Sequence, residues 1–290
     1  MTDMKGKIIK GIGGFYYVKA TDNNVYECKA RGIFRKDNIK PCIGDRVEIS
    51  IENGKGSIDK IYERSSHLIR PPVANIDILV IVAAATDPEP NVFLIDKLLV
   101  NAEESGICPI ILVNKTDVKS GKELREIYQK AGYCVLEVSA ASEDGFEKLL
   151  PYLKDKTSAF AGLSGVGKST ILNLLTDTCQ ETGSVSEKIK RGRHTTRHVE
   201  LLELAGGGFV LDTPGFSSFE VNRIKAADLY KYFPEMRDFG DSCRFKGCSH
   251  INEPDCVIKQ RLACGEIAQS RYESYVELYN QLKNIKDWEK

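Results

Sequence analysis

The sequence predicts a multidomain chain: an N-terminal OB-type β-barrel, a central α/β domain of the P-loop type and a C-terminal, mostly helical domain. Three observations carry this prediction. Short β-rich segments fill the first 65 residues, strand-like and helix-like segments then alternate, and helical segments around a cysteine cluster follow. The predicted domain boundaries are 1–68, 72–222 and 223–290.

Length and composition limit the class of protein. The 290 residues leave room for two to three domains at roughly 100–150 residues each. The sequence has no apolar run of the roughly 20 residues that a membrane span needs, and "MTDMKGKIIKGIGG" lacks the pattern of a secretory signal. We therefore expect a cytoplasmic protein with no membrane partner. Nine cysteines without an export signal indicate reduced thiols or metal ligands.

Charge is unevenly distributed although the net charge is zero. Residues 1–70 carry 14 Lys and Arg against 9 Asp and Glu, and the segment 186–198 carries 5 against 1. The overall charge neither requires nor excludes a nucleic-acid partner, so the two local excesses are the informative feature.

The first region predicts five strands, "GKIIKG", "FYYVKA", "NVYECKA", "DRVEISI" and "SIDKIYE". Five short strands fit an OB barrel, and an SH3-like barrel would look similar. Basic and aromatic residues interleave along them, namely Lys7, Lys10, Lys19, Lys29, Arg31, Arg35 and Lys36 with Phe15, Tyr16, Tyr17 and Phe34. This pattern suits an RNA-binding face that stacks bases. Alternatively, the aromatics form the barrel core and the lysines are solvated. "RPP" at 70–72 predicts a stiff linker.

The second region predicts a doubly wound α/β domain. Its expected strands are "IDILVIVAAA", "PIILVNKTD", "YCVLEVSA", "SAFAG", "HVELLEL" and "GFVLDTPG". Its expected helices are "NVFLIDKLLVNAEES", "KELREIYQKAG", "GFEKLLPYLK" (with Pro151 as a local defect) and "KSTILNLLT". The third region predicts helices in "KAADLYKYFPEM", "DCVIKQRLACG" and "SRYESYVELYNQLKNI".

"AGLSGVGKST" satisfies the phosphate-loop pattern G-x-x-x-x-G-K-[ST] between a predicted strand and a predicted helix. Its glycines let the backbone wrap a phosphate, and the helix N-terminus presents free N–H groups. Lys168 would neutralise phosphate oxygens, and the Ser169 hydroxyl would bind Mg²⁺. The expected nucleotide-binding residues here are Gly162, Leu163, Ser164, Gly165, Val166, Gly167, Lys168, Ser169 and Thr170.

"NKTD", Asn114 to Asp117, indicates guanine selection. The Asp117 carboxylate can accept two hydrogen bonds from guanine, whereas adenine would leave it unpaired and so be rejected. Asn114 can bond the acceptor edge of guanine, and Lys115 can lie along the ring. Ser139 and Ala140 of "VSA" end the next strand, where the Ala140 N–H would reach the guanine oxygen. The expected base-side residues are Asn114, Lys115, Thr116, Asp117, Ser139 and Ala140.

"DTPG" follows a predicted strand, which gives this otherwise common pattern its value. Asp212 would hold Mg²⁺ through water, and the Gly215 N–H would meet the γ-phosphate. Either Thr195 or Thr196, in the basic segment before the preceding strand, would complete the magnesium site. Alternatively, these two are ordinary surface-loop threonines.

The order of these motifs is a cyclic rotation of the order in a small GTPase. Here the order is NKTD, VSA, phosphate loop, threonines and DTPG, with the cut just after DTPG. The old termini would join near residues 154–157. As a result, the segment after Gly215 leads into the C-terminal domain, so a change at the γ-phosphate would pass along the chain to it.

Cys243, Cys248, His250 and Cys256 follow the spacing C-x4-C-x-H-x5-C. Three thiolates and one imidazole can complete a closed, structural zinc site without catalysis. The remaining cysteines are expected to be ordinary buried residues, with Cys264 as the one competitor for the cluster: Cys28, Cys42, Cys108, Cys134, Cys179 and Cys264.

The permuted motif order, the OB-like barrel, "GRHTT" at 192–196 and the Cys/His cluster together resemble the RsgA/YloQ/YjeQ family of circularly permuted GTPases. The resemblance covers essentially the whole chain. It implies a GTPase, binding GTP and Mg²⁺, that acts in late maturation of the small (30S) ribosomal subunit and is stimulated by it. It further implies contact with 16S rRNA and one structural Zn²⁺. We expect a monomer.

The sequence lacks one residue that often supports GTP hydrolysis in other GTPases. Many GTPases place Gln directly after D-x-x-G to orient water, and Phe216 stands there instead. His194 is the nearest candidate for a catalytic residue, and a histidine that contacts solvent or RNA is the alternative. The rival function is a GTP-regulated RNA-binding scaffold in which hydrolysis is secondary. "NKTD" disfavours a third reading, an ATP-dependent small-molecule kinase.

Overall fold

The computed structural model describes residues 2–36, 39–52, 55–68, 72–177, 199–216, 221 and 224–285. Among these residues, no helix has both the length and the apolar character to cross a membrane. The chain divides into two compact units. The first contains Met1–Ile78, Leu150–Phe160 and Leu172–Pro214, and the second contains Leu79–Leu149, Ala161–Ile171 and Gly215–Lys290.

The strands are β1 (Thr2–Ile12), β2 (Phe15–Ala20), β3 (Val25–Ala30), β4 (Arg46–Glu52), β5 (Lys55–Ile61), β6 (His67–Leu68), β7 (Val73–Ala74), β8 (Ile78–Ala84), β9 (Cys108–Asn114), β10 (Cys134–Glu137), β11 (Thr157–Ala161), β12 (Glu200–Glu203) and β13 (Phe209–Phe216). The α-helices are α1 (Ile33–Lys36), α2 (Val92–Glu104), α3 (Lys122–Lys130), α4 (Leu150–Leu153), α5 (Lys168–Asp177), α6 (Pro234–Arg237), α7 (Val257–Ala263) and α8 (Gln269–Asn284).

The N-terminal barrel confirms the five predicted strands. Its strand order is β1-β2-β3-β5-β4, and β4 pairs back onto β1 to close it. The β3–β5 pairing is parallel, and α1 lies between β3 and β4 in the chain. This arrangement is of the OB type, as predicted. The alternating inward residues build the core, including Ile8, Val18, Val47, Ile49 and Ile58.

The segment after the barrel is attached to it. β6 and β7 pair with each other, and the middle of the intervening turn, residues 69–71, lies outside the described residues. The buried Asn75 side chain donates to the Gly44 carbonyl at 2.9 Å and accepts from the Ser65 N–H at 2.9 Å. Three residues after the predicted stiff linker at 70–72, the chain is therefore hydrogen-bonded to the barrel.

The remaining strands of the first unit continue the sheet outward from the barrel strand β1. β12 pairs antiparallel with β13 on one side and with β1 on the other, and β11 neighbours β13. Lys7 of β1 donates to the Thr157 hydroxyl at 2.5 Å and lies 4.8 Å from the centre of the Phe209 ring. Burial lowers the pKa of Lys7. The strand that leads to the phosphate loop is thus bonded to the barrel at its first residue.

The second unit contains β10, β9 and β8 side by side, with β9 and β10 parallel. Every residue of β8 is buried, as its continuous apolar run predicts. α2 begins after Asn91, whose side chain caps the helix by accepting from the Leu94 N–H at 2.9 Å.

Two predicted helices form differently. "GFEKLLPYLK" gives a 3₁₀ turn over Phe146–Lys148 and then the short α4. Proline has no N–H to donate, so Pro151 is tolerated only in a first helical turn. "KAADLYKYFPEM" gives a 3₁₀ helix over Ala226–Tyr232 and then α6, which begins at Pro234 for the same reason.

The C-terminal region is mostly helical, as predicted, and packs on α2 through α8. Its most buried charge is Arg271, which donates to Asp96 of α2 at 2.7 Å and to Glu235 of α6 at 2.7 and 3.0 Å. The guanidinium also lies 4.6 Å from the centre of the Phe233 ring. One buried arginine therefore joins three helices.

Candidate nucleotide and metal sites

The phosphate loop is held by its glycines. Gly162 follows the buried strand β11 with φ 142°, and an added Cβ there would lie 2.2 Å from the Val82 carbonyl oxygen. Gly167 has φ 99°, and an added Cβ would lie 2.3 Å from Asn114 Nδ2. Between them Val166 is buried, which anchors the loop. The spacing of glycines that sequence reasoning identified is thus required by close contacts on both sides.

Lys168 spans the loop. Its ammonium donates to the carbonyl oxygens of Gly162 at 2.9 Å and Leu163 at 2.5 Å. Burial lowers the pKa of this lysine. The charge is therefore held at the mouth of the loop, where it can exchange carbonyl partners for phosphate oxygens.

Other loop positions are open to solvent. Ser164, Gly165, Ser169 and Thr170 are exposed, whereas Leu163 is half-buried. An exposed hydroxyl at Ser169, beside the lysine, is a hard oxygen ligand of the kind Mg²⁺ prefers. Among the expected magnesium ligands, Ser169 is the one whose side chain the structure describes, and its place beside the lysine fits a magnesium ion.

Asn114 joins three motifs. The buried amide donates to the Val166 carbonyl in the phosphate loop at 2.9 Å and accepts from the Ala140 N–H at 2.9 Å. The amide has a second N–H, which remains available for the acceptor edge of a base. The Ala140 N–H, expected to reach the guanine oxygen, donates to Asn114 in this structure, so that expectation stays a prediction.

Lys115 and Thr116 turn the chain between Asn114 and Asp117. Lys115 has φ 64°, and its ammonium donates to the Asp87 carbonyl. The Thr116 hydroxyl donates to the Val138 carbonyl at 2.9 Å. The threonine thus ties the NKTD turn to the strand that leads to "VSA", a structural role that the motif alone does not reveal.

The Asp117 side chain is exposed and oriented. Ser139 is buried, and its hydroxyl donates to Asp117 Oδ1 at 2.6 Å. The same hydroxyl accepts from the Ser142 N–H at 3.2 Å. The carboxylate is therefore fixed at one oxygen, and its other oxygen is free to accept from a base.

Several predicted residues are only partly described or lie outside the described residues. Asp212 and Gly215 belong to β13, where the Cα atom of Asp212 pairs with that of Glu200, and the Asp212 side chain is not described. His194, Thr195 and Thr196, with the basic segment 186–198 around them, lie outside the described residues.

The four predicted metal ligands converge. Their ligand atoms all lie within 4.8 Å of one another. Cys243 Sγ is 3.8 Å from Cys256 Sγ, and each of these sulfurs is 3.5 Å from His250 Nδ1. A tetrahedral zinc with Zn–S bonds of about 2.3 Å separates its sulfurs by about 3.8 Å. The residues present therefore fit a closed zinc site that binds through Nδ1.

Hydrogen bonds from outside the cluster hold its loop. Tyr272 and Tyr275 of α8 donate to the carbonyls of His250 and Ser249 at 2.8 and 2.9 Å. Glu253 accepts from the Ser249 hydroxyl at 2.8 Å and from its N–H at 2.9 Å. Desolvation raises the pKa of Glu253, but these and further hydrogen bonds outweigh it and lower the pKa to about 2. These contacts position the loop that carries His250.

The cysteines outside the cluster differ in their burial. Cys28 and Cys42 are buried, as predicted, and burial raises the pKa of both thiols. Cys108 and Cys264 are exposed, so the prediction that they are buried is wrong. Cys108 starts β9 and Cys264 ends α7, where the side chains project beyond the packed elements. Cys134 is half-buried, and Cys179 lies outside the described residues.

The barrel face is less basic than its sequence indicates. Lys10, Lys19 and Arg31 form ion pairs with Glu200, Glu203 and Asp59. Phe34 is buried and Tyr16 packs against the core, as the alternative reading expects. Lys29 lies 4.7 Å from the centre of the Phe15 ring, which is half-buried. Phe15 and Lys29 remain as a stacking and charged pair, and the side chains of Arg35 and Lys36 are not described.

Comparisons with known proteins match nearly the whole chain. The family model described as RsgA GTPase matches residues 61–222, and the model described as RsgA N-terminal domain matches residues 5–58. A "Small ribosomal subunit biogenesis GTPase RsgA" from Ruminiclostridium cellulolyticum is 50% identical over 97% of this chain and 94% of its own length. The protein of that name from Geobacillus kaustophilus is 43% identical over 97% and 98%.

Two solved structures are similar. One is described as YloQ, a circularly permuted GTPase, with 39% identity and a TM-score of 0.84 over 98% of this chain and 96% of that one. The other is YjeQ from Thermotoga maritima, with 36% identity and a TM-score of 0.84 over 98% and 100%. The rotated motif order of this chain thus agrees with the description of one similar structure as circularly permuted.

Proposed function

Because this chain belongs to the RsgA GTPase family, we propose that it binds the small (30S) ribosomal subunit and assists its late maturation, hydrolysing GTP to GDP and phosphate. The observation that carries the nucleotide part is the Asn114 amide, which bonds the phosphate loop and "VSA" at once. A side chain that joins the base-reading and phosphate-binding motifs supports a single nucleotide site.

The proposed roles follow from the donor geometry. Asp117 reads guanine, Lys168 meets the phosphates, and loop N–H groups cradle them. Mg²⁺ would be held by Ser169, by Asp212 through water and by Thr195 or Thr196. When bound, the ion neutralises charge on the β- and γ-phosphates. The zinc cluster would hold one structural Zn²⁺ with no open position for chemistry, through Cys243, Cys248, His250 and Cys256.

The partner is proposed from the relatives' names and from local charge. We propose contact with 16S rRNA through the barrel and the basic segment 186–198, and a monomer acting in the cytoplasm, where ribosomal subunits are assembled. The boundaries 1–68, 72–222 and 223–290 are proposed as domains. The family matches at 5–58 and 61–222 support the first two.

Stimulation by the subunit is proposed because Phe216 cannot orient water. The segment 186–198 carries five cations around His194, and RNA phosphates would bind them with release of counterions. We expect slow turnover by the free protein, strong stimulation by small subunits and a steep fall of stimulation with salt. His194→Ala should lower the stimulated rate far more than GTP affinity. Full stimulated turnover in that variant would eliminate His194 as the catalytic residue.

Sedimentation with small subunits under GDP and under a non-hydrolysable GTP analogue tests the proposal, together with GTP turnover with and without subunits. Nucleotide-dependent binding with stimulated turnover supports it. The missing water-orienting residue favours a second candidate, an RNA-binding scaffold controlled by GTP. Binding that depends on GTP without any stimulation of turnover would establish the scaffold instead.

A further inference from the structure

The barrel strand β1 pairs with β2 and β4 inside the barrel and with β12 outside it. Residues 2–7 pair with β4 and close the barrel. The register of β1 against β2 then shifts between Ile8 and Lys10, so that Ile9 forms a bulge. Beyond it, Lys10 pairs with Glu200 of β12. A bulge bends a strand and redirects its side chains, so the irregularity is what transfers β1 from the barrel to β12.

An ion pair fixes this junction. Lys10 Nζ lies 2.6 Å from Glu200 Oε2, and the two side chains are only 21% and 34% exposed. A short, charge-assisted hydrogen bond between partly shielded groups restricts both side chains. The backbone pairing and the ion pair therefore act at the same two residues.

Glu200 also pairs with the strand that carries a proposed nucleotide-sensing motif. In the β12–β13 register its Cα partner is Asp212, the first residue of "DTPG". Lys10, Glu200 and Asp212 are thus consecutive across three neighbouring strands. Strands lie about 4.8 Å apart, so the barrel residue is about 10 Å from Asp212 along the hydrogen-bonding direction.

We propose that Glu200 is a positioning residue for the Asp212–Gly215 segment, through which the barrel, once held by the small subunit, promotes GTP hydrolysis. A barrel fixed on RNA holds Lys10, Lys10 holds Glu200, and Glu200 limits the positions that β13 takes opposite it. The inference rests on the proposed function and adds the route by which subunit binding reaches "DTPG".

Charge reversal tests this route. Lys10→Glu and Glu200→Lys are each expected to lower the ratio of subunit-saturated to unstimulated GTP turnover by up to about fivefold, the range for a partly exposed ion pair. The double variant restores the pair with its charges exchanged and should recover the ratio. The subunit concentration that gives half-maximal stimulation should stay within twofold for Glu200→Lys, because the residue acts on the bound state and not on RNA.

The chain offers a matched control at Glu203, which lies on the same strand, β12, as Glu200. Lys19 Nζ lies 2.9 Å from Glu203 Oε2, and the Lys19 side chain is 19% exposed. Glu203 pairs with Phe209, at the end of β13 away from Asp212. Glu203→Lys breaks this ion pair without touching the proposed RNA-binding residues, and it should therefore leave the ratio unchanged.

The outcomes separate the two proposals. Equal loss of stimulation in Glu200→Lys and Glu203→Lys would mean that stimulation depends on barrel contacts in general and not on the Lys10–Glu200 pair, and it would overturn the inference. Full stimulation in Lys10→Glu, or a double variant without recovery, would also overturn it while the proposed function stands. A wild-type protein that small subunits do not stimulate would overturn the proposed function, and the inference with it.

Discussion

The hydroxyl of Ser139 donates to Asp117 Oδ1 at 2.6 Å, so a buried residue of "VSA" orients the exposed carboxylate of "NKTD". Asp117→Asn is expected to weaken GTP binding about a hundredfold, because the amide loses the charge and one of two acceptor oxygens, and its N–H₂ group faces a donor of guanine. Preference should shift toward xanthosine triphosphate, whose extra carbonyl can accept from the amide. Nucleotide competition measures both effects.

Ser139→Ala is the control, since it should weaken GTP binding without that shift. Equal GTP affinity in Asp117→Asn and wild type would refute the role.

Gly167 and Asn114 leave no room for a side chain between them. Gly167→Ala would place a Cβ 2.3 Å from Asn114 Nδ2, whereas at Gly165 the nearest atom is Pro88 Cδ at 3.7 Å. Both glycines have positive φ, so both substitutions cost about 1–2 kcal/mol of backbone strain. Only Gly167→Ala also disturbs the Asn114 hydrogen bonds, and GTP affinity should fall about tenfold further than in Gly165→Ala. Equal affinities in a titration of the two variants would show that the Asn114 contact is unimportant.

Zinc should be structural and separate from nucleotide binding. Cys248→Ala should remove about one zinc per chain by metal analysis, since a site of four ligands loses one. GTP binding should survive. Cys264→Ala is the matched control, because this thiol is exposed and lies outside the cluster. A wild-type protein without zinc after metal-replete expression would contradict the assignment.

Zinc affinity should rise with pH. Desolvation raises the pKa of Cys248 to about 12 and also raises that of Cys256, so both thiols carry protons at neutral pH in the metal-free site. Burial lowers the pKa of His250, which keeps its imidazole neutral. Binding as thiolates must release at least two protons, so the logarithm of the apparent affinity should gain at least two per pH unit. Competition with a chelator between pH 6 and 8 measures the slope. A slope near zero would mean that the thiols do not bind the metal.

The buried charges at Arg271 should be costly to separate. Arg271→Met leaves Asp96 and Glu235 buried without their partner and should lower the free energy of unfolding by about 3–5 kcal/mol. Arg237 pairs with Glu103 at 3.5 Å and its side chain is 51% exposed, so Arg237→Met should cost less than about 1 kcal/mol. Denaturant titration of both variants under saturating GDP compares them. Similar stability losses in the two variants would show that burial of Arg271 with Asp96 and Glu235 does not increase the cost of breaking their ion pairs.

Local patterns predicted most of the fold. The five barrel strands, the buried run of β8 and the glycines of the phosphate loop each follow from residues close together in the chain. The cluster that could hold a metal ion was also predicted from spacing, because 14 residues contain all four of its members.

Long-range partners account for what the sequence did not reveal. Lys10 and Glu200 are 190 residues apart, and each looks like an ordinary surface charge in its own segment. Arg271 stands in the polar stretch "SRYESYVEL", which is typical of an exposed helix, yet it is buried by carboxylates from two distant helices. No periodicity encodes such pairings, since burial of a charge depends on which partner the tertiary fold delivers.

The pairing of β1 with β12 also determines where this chain can be cut. β12 has β13 on one side and the barrel strand on the other, so a fragment lacking residues 1–61 would turn β12 into an open sheet edge. Unpaired N–H and C=O groups on such an edge are a template for another copy of the chain. Self-association of an excised GTPase region would therefore be an artefact of truncation, and fragments meant for isolated study need a substitute strand or a charged edge.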